Sequence, residues 1–175
     1  MSGAETEAGA SATGWSLFRD GPTGAGMACP ASWVRVEAPG PSVVMAVAVP
    51  VDRLEPGQFR PNVVLTVEHV AAGSEDLRVF SPAVVEGFLA SVPGAHVVAV
   101  DYYPLPGGQE GRRMVATYRQ PPHAVVLSQW WTVVGGIANA VSASCSADQY
   151  LALEPVFEGF LSGFTPATSA PEAAR

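Results

Sequence analysis

Residues 124–145 read AVVLSQWWTVVGGIANAVSASC. Two largely apolar runs, 124–134 and 137–145, flank Gly135-Gly136. A two-residue glycine loop between such runs predicts a tight β-hairpin, because its central residues need positive φ. Along the first arm Val126, Ser128, Trp130 and Thr132 share one face, and Val125, Leu127, Trp131 and Val133 share the other, more apolar face. Adjacent strand residues point to opposite sides, so the two tryptophans cannot lie under the same layer. If helices cover both faces, both rings are core. If only one face is covered, one ring lies on an open apolar surface of the kind a partner protein needs.

Working upstream, residues 96–103 and 112–119 flank the turn-rich segment PLPGGQEG and predict a second hairpin with a long loop. Before it, Ser81 reads as a helix N-cap, Pro82 as the first helical residue and Glu86 as an early-turn acid. Val84, Val85, Phe88, Leu89 and Val92 then form one apolar face, and Pro93-Gly94 ends the helix. Further strands are expected at 26–28, 33–37, 43–49 and 62–70, the third of them apolar enough to be covered on both faces. Downstream, Ser146 and Gln149 make an S-x-x-Q capping box opening a helix. Its stripe runs from Tyr150 through Phe157 and Phe160 to Phe164, with Pro155 expected to kink or split it. The order predicts an α+β fold with a predominantly antiparallel sheet flanked by helices. Residues 14–164 are expected to form a single domain between flexible tails at 1–13 and 165–175, whose small and polar residues lack apolar periodicity.

Composition narrows function by exclusion. The chain of 175 residues has a net charge of −7, with 9 basic residues, all arginine. The missing lysines, with abundant Ala, Gly, Val and Pro, look like the codon bias of a G+C-rich genome. Phosphate-backbone binding needs clustered cations, and Arg112, Arg113 and Arg119 make a poor groove, so no nucleic-acid partner is expected. The longest apolar run, 43–49, is far short of the ~20 residues of a membrane span. Residues 1–13 are small, polar and acidic, unlike a signal peptide, and the expectation is a cytoplasmic protein. Cys29 and Cys145 form no CxxC and read as two buried thiols, with a disulfide as the alternative.

Several segments resemble a known family. Gly26-Met27-Ala28-Cys29-Pro30-Ala31-Ser32-Trp33 is similar to the strand, Pro-x-x-Trp, strand opening of PsbP-like domains. Phe59 to Val67 resembles the PN-apolar-strand segment of the actinobacterial LpqN lipoproteins, as do Gln129 to Val133, Cys145, Gln149-Tyr150-Leu151 and Leu153-Glu154-Pro155. The resemblance spans residues 15–164 and is closest to LpqN. It implies the Mog/PsbP-type sandwich and a mostly non-enzymatic group. That group holds lipoproteins of unknown role, photosystem assembly subunits, a Ran-GTPase-binding protein and chaperones that shield hydrophobic segments of secreted effectors. LpqN proteins carry a signal peptide and a lipidated cysteine; neither is visible here, so the envelope location is not carried over.

Candidate chemistry is sparse. His69, His96 and His123 sit near strand ends with no second ligand at metal spacing, and no G-x-S-x-G or phosphate loop occurs. No metal, cofactor or catalytic residue is therefore expected. The leading expectation is a non-catalytic module, an adaptor or chaperone, that docks a protein partner through Trp130, Trp131, Tyr102 and Tyr118. The alternative is a small-ligand binder or enzyme with a pocket between sheet and helices, using Asp101, His96 or Tyr118.

Overall fold

The computed structural model describes residues 9–10 and 14–170. Its centre is a seven-stranded sheet, antiparallel throughout, in the order β4-β5-β6-β10-β9-β8-β7. These strands are β4 (Val34–Arg35), β5 (Val43–Ala48), β6 (Asn62–His69), β7 (His96–Leu105), β8 (Gln109–Gln120), β9 (His123–Val134) and β10 (Ile137–Ser146). A separate three-stranded sheet joins β1 (Gly9–Ala10), β2 (Trp15–Arg19) and β3 (Gly26–Pro30). One helix, α1 (Leu77–Ser91), covers one face of the large sheet; the other, α2 (Tyr150–Leu161), covers the opposite face together with the small sheet. This is the α+β sandwich that the order of elements predicts.

The diagnostic hairpin forms as read. Gly135 and Gly136 take φ of 57° and 78°, and Ile137 pairs with Val134 directly across the turn. Only glycine adopts two successive left-handed residues without a steric penalty. The β7–β8 hairpin is tighter than expected: both strands continue to a short turn at Pro106–Gly108, with Gly107 and Gly108 both at positive φ. Strand β6 alternates strictly, burying Val63, Leu65 and Val67 toward α2 and leaving Val64, Thr66 and Glu68 on the α1 side.

The two faces differ in what fills them. Toward α2, Met27 and Cys29 of β3 and Val47, Leu65, Trp130 and Val141 of the large sheet meet Phe157, Phe160 and Leu161. Toward α1, Trp131 meets Leu77, Met114, Ala116 and Leu127, with Phe80, Val84, Val85 and Phe88 packed on them. Helices thus cover both tryptophans, which are 2 % and 1 % exposed.

Several expectations need correction. Helix α1 starts a turn before Ser81, capped by Asp76, whose carboxylate accepts from the Arg78 backbone N–H at 2.7 Å. Pro82 therefore sits inside the helix, and Ser81 is a buried helical residue whose hydroxyl donates to the Leu77 carbonyl. Helix α2 runs as one element through Pro155, and it begins at Tyr150 with Gln149 at its N-cap. Ser146 ends β10 instead of capping the helix, although the Gln149 side-chain oxygen still accepts from the Ser146 N–H at 3.1 Å. Strand 33–37 shrinks to Val34–Arg35, and β2 has no counterpart among the expected strands. The chain also stays packed beyond Phe164, where the domain was expected to end. Thr165 pairs with Gly26, and the side chain of buried Asn139 bonds both backbone groups of Ala167. The rest of the expected tails, residues 1–8, 11–13 and 171–175, lies outside the described residues. No helix among the described residues is long and apolar enough to cross a membrane.

Candidate functional site

Strand order decides what α1 can cover. The helix lies over β8 and β9, which leaves an open groove on either side of it. The first, about 380 Å³, lies over β6, β10 and β9, with Thr66, Gln129, Trp131 and Ala140 as its floor. Helix residues Ala83, Gly87 and Ser91 line it; at i, i+4 and i+8 they share one face and are too small to fill the space. The second groove, about 460 Å³, lies between α1 and β7 and is lined by Arg78, Pro82, Val85, Glu86, Val100 and Arg112, with Ser81 at its base.

The two elements that flank the second groove, α1 and β7, carry most of the exposed apolar residues. Eight large hydrophobic residues are exposed among the described residues, and five of them lie on these two elements: Val79 and Leu89 on α1, Val98, Val100 and Tyr102 on β7. Scattered exposed apolar residues need no explanation, whereas a cluster beside a groove marks an interaction surface. β7 is the edge of the sheet and pairs only with β8. Tyr102 is 62 % exposed yet held: it faces Arg112 across the strand pair, with the guanidinium carbon 5.3 Å from its ring centroid. Arg112 is itself fixed by Glu110 at 3.1 Å and by the Gly111 carbonyl at 3.0 Å. A cation over an exposed ring contributes about 0.5–1 kcal/mol, enough to bias the phenol toward one orientation.

On the opposite face Arg113 ties α2 to β8. Its guanidinium donates to Glu154 at 2.6 Å and to the Tyr150 hydroxyl at 3.0 Å, and lies 5.5 Å from the Trp130 ring centroid. The hydrogen bond from Arg113, then that from Tyr150, holds the Glu154 carboxyl below its ordinary 4.5. Because the folded value is depressed, this stabilisation is complete above the ordinary carboxylate range and is lost as pH falls through the Glu154 value. Glu154→Gln is accordingly expected to flatten the acid limb of a thermal-midpoint profile taken from neutral pH downward. An acid limb unchanged from wild type would show that the pair contributes nothing to acid stability.

The residues singled out from the sequence separate into distinct places. Tyr102 alone stands exposed against a residue of the second groove, Arg112. Trp130 and Trp131 are core, a correction to their reading as docking residues: alternation sends them to opposite faces and a helix covers each. Tyr118 is half-buried, edge-on to Phe88 at 6.4 Å, and lines a third groove at the far end of the sheet with Arg60 and His123. His96 and Asp101 are exposed on β7 and line none of the three grooves. Of the three residues named for a pocket, only Tyr118 lines one of these grooves, and it does so without His96 or Asp101. Both cysteines are buried and free; burial pushes Cys29 up to about 11 and Cys145, helped by the Asp148 charge, up to about 12. Both stay protonated at neutral pH, which removes the thiolate a nucleophile needs. Among the described residues no group of three or more His, Cys, Asp or Glu is placed to hold a metal ion. Sequence reasoning missed Val98, Val100, Arg78 and Arg112; only the placement of β7 at the edge distinguishes them from other strand and helix residues.

No protein-family model matches the sequence, and no curated protein matches it. Solved structures do. The chain is similar to the cyanobacterial PsbP protein of Synechocystis, with 16 % identity and a TM-score of 0.64 over 90 % of this chain and 95 % of that one. A protein of unknown function from Pseudomonas aeruginosa matches with 11 % identity and a TM-score of 0.62, over 89 % and 99 %. LpqN of Mycobacterium tuberculosis, involved in cell envelope biogenesis, matches with 16 % identity and a TM-score of 0.58, over 79 % and 80 %. These likenesses establish a PsbP-like fold. They single out no family within it, and the leaning toward LpqN read from the sequence is not reproduced as a greater likeness. Fold kinship leaves function to be argued from the site.

Proposed function

We propose that this chain is a non-catalytic protein-binding module whose partner docks in the groove between α1 and β7. The observation that carries the reading is an open groove lined by Val85 and by exposed Val100, with exposed Tyr102 stacked on the groove residue Arg112 beside it. Apolar contacts beside an exposed aromatic, with charged groups that fix register, are a usual anatomy of a protein-docking surface. The relatives in fold support a coarse role of this kind and no particular mechanism. The site residues on this reading are Tyr102, Val100, Val85 and Arg112, in place of the two tryptophans.

The test is affinity capture from the native host with three baits: wild type, Val100→Asp and Leu151→Asp. Leu151 is an exposed apolar residue on α2, on the opposite face from α1, and serves as the control. Circular dichroism checks that each bait is folded. A partner retained by Leu151→Asp and reduced at least about tenfold by Val100→Asp, a loss of about 1.4 kcal/mol or more, supports the assignment. A partner held equally by both variants would move the docking surface elsewhere.

A further inference from the structure

We infer that the partner enters this groove as a short extended segment, which adds to the free edge of β7 and places a carboxylate against Arg78. The inference rests on the reading of the α1–β7 groove as the docking surface and says what kind of chain the groove takes. An edge strand leaves outward backbone N–H and C=O groups without sheet partners, a ready template for another strand. On β7 that template is bounded. The register shifts between Val97 and Ala99, a bulge that interrupts pairing at one end. Pro104, which has no N–H, limits it at the other. Residues 99–103 remain, roughly 17 Å of strand, which suits a short segment better than a continued sheet.

A second copy of this chain fits that edge poorly. Asp101 is the middle residue of 99–103, so two-fold antiparallel pairing would set Asp101 directly opposite Asp101. Like charges in that position are destabilising. Charge in the groove favours a different occupant. Arg112 is already paired with Glu110, whereas exposed Arg78 makes no ion pair among the described residues. It stands at the N-terminal end of the groove in a chain of net charge −7. Two turns further along α1, Glu86 lines the same groove and repels a second acid there. Between them Val85 and Val100 offer an apolar contact. The segment this arrangement selects is extended, alternates apolar residues on the face toward α1, and carries one acid at the Arg78 end.

The probe is a phage-displayed random-peptide library panned on the folded full chain. Enriched peptides are then synthesised and mapped by backbone amide chemical shifts. The expected peptides alternate apolar residues around an acid, and they perturb the amides of residues 99–103. Arg78→Glu is expected to weaken them at least about tenfold, with recovery when the peptide acid is changed to lysine. Peptides that map to the groove but bind as helices, or that ignore Arg78→Glu, overturn the extended acidic segment while leaving the docking reading intact. Peptides that map only elsewhere, or no enriched peptide, overturn both. A sedimentation mass of two chains that reverts to one in Val100→Asp makes the second copy the occupant and overturns the inference in that way.

Discussion

Trp131→Ala lowers the unfolding free energy by about 3–5 kcal/mol, the range for truncating a buried tryptophan. The ring is 1 % exposed and lies at the centre of the α1 face, against Leu77, Met114, Ala116 and Leu127. Its indole N–H donates to the Ser81 hydroxyl at 3.0 Å, and that hydroxyl donates onward to the Leu77 carbonyl. The tryptophan therefore joins the sheet to the first turns of α1 by both packing and a hydrogen bond. Truncation enlarges the adjoining groove, where Ala83 and Gly87 offer nothing to fill the space and only a shift of Phe80, Val84 or Phe88 could reduce it. Trp131→Phe keeps most of the packing and loses the hydrogen bond, so it is expected to cost far less than the alanine variant. Chemical denaturation measures both. A cost below about 1 kcal/mol for the alanine variant would mean that α1 is held to the sheet by something other than this contact. The variant also tests the functional reading: loosening α1 deforms the wall of the α1–β7 groove, so binding should weaken with Trp131 although the ring is not on the docking surface.

The same residue shows where sequence reading succeeds and where it stops. The hairpin around Gly135-Gly136 is legible because two local signals agree, a turn that demands positive φ and arms that alternate. Alternation also places Trp130 and Trp131 on opposite faces, as observed. Which faces are covered is a long-range matter. α1 precedes the hairpins in sequence and α2 follows them, and only the sheet order shows that one lands on each side. The exposure of Tyr102 is hidden for the same reason: nothing in HVVAVDYY distinguishes an edge strand from a central one. β2 escapes because Trp15–Arg19 is short and its pairing with β3 crosses a loop without a two-residue turn signal. Residues 165–170 read as a tail because their order depends on Asn139, whose side chain reaches Ala167 across 28 positions of sequence. Helix α1 begins early because Asp76 out-competes Ser81 as a cap, and Pro82 is tolerated there although it removes one helical hydrogen bond.

On the other face, Phe160→Ala is expected to cost about 3–5 kcal/mol as well. Phe160 is fully buried, and two tryptophans meet it edge-on: Trp15 at 5.6 Å between centroids and Trp33 at 5.2 Å. Trp15 belongs to β2 and Trp33 immediately precedes β4. One ring on α2 thus joins the small sheet to the edge of the large one. Each such aromatic pair contributes about 0.5–1.5 kcal/mol beyond the area it buries. Neighbouring glycines leave little room for a compensating shift. A Cβ on Gly159 would stand 2.5 Å from the Trp15 ring, and one on Gly163 would stand 2.9 Å from the Ala28 backbone nitrogen. The helix is therefore already in near contact with β2 and β3 and cannot move inward to fill the space left by Phe160. Two measurements separate this layer from the other. Fluorescence of Phe160→Ala should shift to the red, because Trp15 and Trp33 gain solvent, while amides of α1 keep their native chemical shifts. Trp131→Ala should perturb the α1 amides and leave the contact of Phe160 with Trp15 in place. If both variants disturbed both layers equally, the sheet would not be acting as a rigid divider, and binding at the α1–β7 groove could be altered from the α2 face.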